Sequence, residues 1–171
     1  MPTFENQYNL KASCVAGKEL YKGIACSLGM KIIEVEGADG TISTNLKGKI
    51  KNAIEQLKTN DFVFVHIKAT DSLAEDGNYL GKKDFIEKID ESLGNLIETD
   101  FFIVVTSDHS TCSLKKSHCS ELIPLLIYGS GEKPDIVKKF SEKDCSGGAI
   151  RKINQLDLME KIIKLADRDD S

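Results

Sequence analysis

The chain has no apolar run approaching the roughly 20 residues that cross a bilayer as a helix. Its start, Met1-Pro2-Thr3-Phe4-Glu5-Asn6, also lacks the basic-then-apolar layout of a secretory signal. No membrane partner is expected, and the expected location is the cytoplasm. Positive charge is not in excess: 23 Lys and Arg against 27 Asp and Glu leave a net charge of −4, with no field to attract nucleic acid. The scattered lysines read as solvated helix faces. A disulfide framework is missing too, because Cys14, Cys26, Cys112, Cys119 and Cys145 are odd in number and irregularly spaced. Cys14 and Cys26 lie in apolar contexts and read as small core residues. Glycine-rich phosphate loops are absent: Gly17 and Gly23 flank Lys18 and Lys22 without a Walker or dinucleotide pattern. No repeat, low-complexity segment or linker divides the sequence.

What remains is a 171-residue chain, 40% hydrophobic and 29% charged, sized for one folded domain over 1–171. Short β-branched runs alternate with helical spacings. Strands are expected at 10–16, 31–35, 62–67, 101–105 and 123–128, the third and fourth apolar enough to be buried on both faces. Helices are expected at 18–28, 45–58 (with Thr44 as a cap), 82–97, 136–140 and 156–166, followed by a fraying polar tail at 167–171. Such alternation implies an α/β three-layer sandwich, a mostly parallel sheet covered by helices.

Two of these strands end in ligand-type side chains. Phe101–Val105 runs into Thr106-Ser107-Asp108-His109-Ser110-Thr111, and Phe62–Ile67 into Lys68-Ala69-Thr70-Asp71, with Glu75 beyond. In open α/β sheets, ligands bind at this carboxyl edge. Asp71 and Glu75 stand at i and i+4, so one helical turn places both on one face. Asp108 and His109 are adjacent and point apart, which suits two different ions. His118 can fold back over the site from a Ser/Thr/Lys-rich loop. Carboxylates with neutral imidazoles suit Mn²⁺, Zn²⁺, Co²⁺ or Mg²⁺. The plainer alternatives are a charged solvated loop at Asp71 and Glu75, and an Asx turn beside an exposed imidazole at Asp108-His109. A structural zinc on His109, Cys112, His118 and Cys119 has suitable residue types but the wrong spacing. Cys112 as a nucleophile with either histidine has no supporting local signature.

The stretches His66-Ile67-Lys68-Ala69-Thr70-Asp71, Glu75-Asp76-Gly77-Asn78, Thr106-Ser107-Asp108-His109-Ser110-Thr111-Cys112 and Lys116-Ser117-His118 resemble archaeal-type cofactor-independent phosphoglycerate mutase, of the alkaline phosphatase superfamily. Leu10–Ala16, Lys22–Ala25, Leu28–Ile33 and Pro124–Gly129 resemble the same family in its order. The resemblance implies an incomplete alkaline phosphatase-like fold and the interconversion of 3- and 2-phosphoglycerate through a phosphoserine. It also implies two divalent ions, manganese foremost. Asp108 and His109 would bind the ion that also holds the nucleophile; Asp71, residue 75 and His118 would bind the other.

Two departures stand out. The family places histidine where this chain has Glu75, a harder, charged donor. The chain also resembles only the carboxyl-terminal part of the family, so no catalytic serine is assigned: none of Ser107, Ser110, Ser113 or Ser117 occupies the nucleophile position. Lys22 and Lys68 are the phosphate-contact candidates. The expected partners are a small phosphorylated substrate and an amino-terminal partner chain or a second copy, since a sheet lacking neighbouring strands exposes an edge. The rival readings are a phosphate- or sulfate-ester hydrolase of the same superfamily, and a non-catalytic metal-binding remnant or subunit of a split enzyme.

Overall fold

The computed structural model describes residues 2–129 and 133–166. They cluster into two compact units, Met1–Glu98 with Cys112–Ser117 and Thr99–Thr111 with His118–Ser171.

The first unit carries a parallel sheet of strands β1 (Ala12–Val15), β2 (Lys31–Ile32) and β3 (Phe62–Val65), in the order β2-β1-β3. Ala12 pairs with Phe62 and Val15 with Val65, while Ser13 faces Lys31. All four residues of β1 are buried. They are small or β-branched, as a central strand between two neighbours requires. Burial pushes the Cys14 thiol pKa up, against the nearby Lys22 charge that pulls it down, so this cysteine is a core group as expected. Cys26 is not: it is exposed on α2 (Glu19–Ser27), whose buried contact is Ala25, with Tyr21 packed beside it.

Strand β3 corrects an expectation. Its residues are half-buried rather than covered on both faces, with Phe64 39% exposed. The reason is position: among the described residues β3 has a neighbour on one side alone, the open edge anticipated from the sequence.

Helix α1 (Phe4–Tyr8), not anticipated, is capped by Thr3 and stacks Phe4 on Phe62. Helix α3 (Leu46–Gln56) is capped by Asn45. Thr44 instead exchanges hydrogen bonds with the Asp39 backbone. α4 (Ala69–Glu75) follows β3 directly, and α5 (Tyr79–Leu93) starts from an Asn78 cap, three residues before the expected helix. Phe85 anchors α5 in a cluster with Ala69 and Leu73, whereas Ile86 is exposed. Lys49 of α3 is fully buried, donating to the carbonyls of Asp39 (3.2 Å) and His66 (3.0 Å). It thereby ties the loop after β2 to the end of β3. Gly17 is required here, because a Cβ would lie 2.0 Å from the Asp39 carbonyl oxygen.

The second unit is built differently. β4 (Ile103–Val105) pairs antiparallel with β7 (Leu126–Tyr128), Val104 opposite Ile127. The expected doubly buried strand at 101–105 is thus a half-buried member of a two-stranded ribbon. β5 (Ser110–Cys112) and β6 (Ser117–Cys119) pair in the stretch read from sequence as a loop. No helix forms at 136–140. Asp135 instead accepts from the backbone N–H groups of Val137 and Ala149, which holds that segment as a turn, and α6 (Glu142–Cys145) follows, capped by Ser141. α7 (Leu158–Ala166) forms after a 3-10 turn, and the expected frayed tail lies outside the described residues. None of the described cysteines forms a disulfide. No described helix is long and apolar enough to cross a membrane.

Candidate metal centre

In the first unit, the chain leaves β3 through His66, Ile67 and Lys68 and enters α4, placing Asp71 in the first helical turn. The N-terminal turn favours a carboxylate, because free backbone N–H groups and the helix dipole present positive potential there. Asp71 and Glu75 lie one turn apart on this helix, the spacing the sequence implied, with Asp71 half-buried and Glu75 exposed. Lys68, at the N-cap position, makes no capping bond. Its ammonium donates instead to the Asp71 carboxylate. Burial pulls the Lys68 pKa down, but the Asp71 hydrogen bond and charge, with Tyr21 and Glu75 nearby, outweigh it and hold the group above its ordinary value. The His66 ring stacks on Tyr21 with centroids 3.4 Å apart. Lys22 is paired with Glu34 at 2.7 Å and Glu19 at 3.5 Å, and the Glu34 hydrogen bond raises its pKa.

In the second unit, Asp108 and His109 follow β4 by way of Thr106 and Ser107, and the Thr106 hydroxyl donates to the Pro124 carbonyl. Asp108 accepts from the N–H of the very next residue, His109, which is not the Asx turn of the plainer alternative, and leaves its side chain 61% exposed. The His109 and His118 rings lie 4.0 Å apart between centroids, each offering a ligand nitrogen within 4.8 Å of the other. Pairing of β5 with β6 produces this approach. Two histidines nine residues apart meet because a hairpin returns the chain. Thr111 Oγ1 sits 3.1 Å from His109 Nδ1. Metal-binding imidazoles characteristically hold an oxygen partner on the nitrogen that does not face the ion, and Thr111 provides one. Asp108 does not share the histidines' ligand group, yet its carboxylate lies 3.5 Å from His109 Nε2, so the two adjacent side chains do not point apart as expected. Cys119 donates to Ser110 Oγ at 3.4 Å and also stays out of that group, which weighs against the zinc reading.

The sequence reading missed the Lys68–Asp71 pair, the Tyr21–His66 stack and the Thr111 contact. The first carried a signal, since Lys and Asp three apart at a helix start are neighbours. The other two arise from packing and strand pairing.

Residues 1–165 match the family described as the metalloenzyme superfamily. This chain belongs to that superfamily. It is 40% identical over 171 residues to a 2,3-bisphosphoglycerate-independent phosphoglycerate mutase of Methanocaldococcus jannaschii, covering 98% of this chain and 42% of the relative. A second relative of the same name, from Archaeoglobus fulgidus, is 38% identical and covered to 41%. Among solved structures, a Pyrococcus horikoshii protein superposes with a TM-score of 0.93 at 35% identity, over 97% of this chain and 52% of that one. A cofactor-independent phosphoglycerate mutase from Thermoplasma acidophilum superposes at 0.78, with 30% identity, covered to 39%. This member of the superfamily therefore has the expected mixed α/β fold, a parallel sheet with helices, consistent with the alkaline phosphatase-like architecture. It spans about two-fifths of the length of the curated relatives it matches.

Proposed function

We propose that residues 1–171 act as one metal-binding region of a phosphoglycerate mutase-like enzyme, interconverting 3-phosphoglycerate and 2-phosphoglycerate in glycolysis and gluconeogenesis. On this reading, Asp71 and His118 hold one divalent ion and Asp108 and His109 a second, manganese being the preferred species. Glu75, one turn past Asp71, is the further candidate donor. The observation that carries the proposal is the His109–His118 ring pair in a chain of the metalloenzyme superfamily. The donor chemistry fits: imidazole and carboxylate together suit a borderline divalent ion, and Thr111 already supports one imidazole from behind.

Bound ions would polarise phosphoryl oxygens and offset their charge. The chain's own residues position the ligands. The β5–β6 hairpin fixes the two imidazoles, Thr111 orients His109, and the first turn of α4 presents Asp71 with its charge favoured by the helix terminus. Lys22 is a weak phosphate contact because Glu34 and Glu19 already neutralise it. The remainder of the reaction needs a serine nucleophile and its supporting groups, which we assign to polypeptide equivalent to the rest of the relatives' length, acting in the cytoplasm.

The test is metal titration calorimetry of the purified chain followed by a mutase assay with manganese, alone and mixed with the complementary portion of the Methanocaldococcus relative. The expected result is stoichiometric manganese binding, no mutase turnover alone and turnover in the mixture. Absence of metal binding would sink the proposal. Phosphate-ester hydrolysis without mutase activity in the mixture would favour the hydrolase reading.

A further inference from the structure

We propose that the Lys68 ammonium is a resident cation at Asp71, which an incoming divalent ion must displace and which therefore sets the metal affinity of this site. The inference rests on Asp71 being a metal ligand, as proposed above, and adds a determinant within the protein itself. Lys68 and Asp71 are three residues apart at the start of α4, so the backbone holds them as neighbours. The pair is not a screened surface contact: the side chains are 25% and 12% exposed. At the N-cap position a polar side chain ordinarily accepts from the first helical N–H groups, and lysine has no acceptor to offer. Its side chain turns to the carboxylate of the first turn instead. The Glu75 charge, one turn beyond Asp71, adds to the attraction on the ammonium.

A carboxylate already bonded to an ammonium is a poorer ligand in two ways. One oxygen lone pair is engaged, and a fixed positive charge repels the arriving dication. Release of Lys68 is part of the cost of metal binding, and a divalent ion gains affinity when that charge is removed. The consequence is a site that fills only at higher free manganese than its ligand set alone would require.

The experiment is calorimetric titration with Mn²⁺ of the wild-type chain, Lys68→Met and Lys68→Arg, with circular dichroism and thermal unfolding confirming that each is folded. Lys68→Met is expected to tighten manganese binding by about tenfold, the scale of one charge-assisted hydrogen bond removed. Lys68→Arg, which keeps the charge, is expected to bind as the wild type does. A merely structural lysine would give the opposite order, with methionine weakening binding and arginine rescuing it. Equal affinity in all three forms, or weaker binding by the methionine variant, overturns the displacement idea while leaving the metal site standing. Failure of every form to bind manganese overturns both.

Discussion

The two compact units are stabilised by different means. Every buried hydrophobic residue among those described, from Phe4 to Phe85, belongs to the first unit, which has a fully buried central strand and capped helices. The second unit's β4 and β7 are at most half-buried. Its turns are held by side-chain bonds such as Asp135 to Val137 and Ala149, and Thr106 to Pro124. Apolar burial dominates stability, so the first unit can stand on its core, whereas the second gains proportionally more from anything bound to its polar groups. The paired imidazoles lie in the second.

The sharpest way to break this contrast is a matched pair of core truncations. Phe85→Ala is expected to cost about 3–5 kcal/mol, because it removes the aromatic anchor between Ala69 and Leu73. Ile127→Ala, at a half-buried position in β7, is expected to cost less than about 2 kcal/mol. Urea unfolding of both variants measures this, and equal losses would erase the distinction.

Next in size is the response to metal. His118→Ala is expected to weaken manganese binding by about a hundredfold or more, since loss of even an outer partner costs about 10–100-fold. Amide exchange in saturating manganese should show the gain in protection concentrated in β5 and β6 of the wild type and absent from the variant. Protection gained mainly around β1 would contradict the idea that the second unit depends on its ligands.

A smaller effect concerns the helix starts. Asn78→Ala should cost about 1 kcal/mol, because the Gly81 N–H loses its acceptor. Chemical denaturation detects it, and a neutral result would show that α5 is held by Phe85 alone.

The smallest effect is a pH slope. Burial lowers the Lys49 pKa, with Asp39 partly opposing it. Below the lowered folded pKa both folded and unfolded chains carry this proton, and the fold bears the full desolvation cost. As pH rises through the lowered folded pKa towards the unfolded value of about 10.4, the folded chain releases its proton first and the cost is relieved. Lys49 thus adds a stabilising slope on the alkaline side. Urea midpoints at pH 8 and pH 10 should show that slope in the wild type and less of it in Lys49→Met. Parallel slopes would mean that Lys49 keeps its proton throughout.

Much of the first unit was legible from the chain. Apolar spacing marked the helix at 45–58 that forms as α3, and a short apolar run marked β1, because both periodicities follow from backbone geometry. The i, i+4 placement of Asp71 and Glu75 was legible for the same reason. The run at 101–105 was read as a strand but not as part of an antiparallel ribbon, since composition does not say which strand pairs with which.

By itself, the sequence determined a mixed α/β chain, the capacity of β1 to be a core strand, and a set of imidazoles and carboxylates at strand ends. These are local properties, fixed by side-chain type and spacing. Tertiary structure alone decided that β3 is an edge, that Lys49 is buried on two carbonyls, that Lys68 occupies Asp71, and that His109 meets His118. Each depends on the neighbour the fold brings close, on the desolvation it imposes, or on a hairpin register, and no residue carries that information alone.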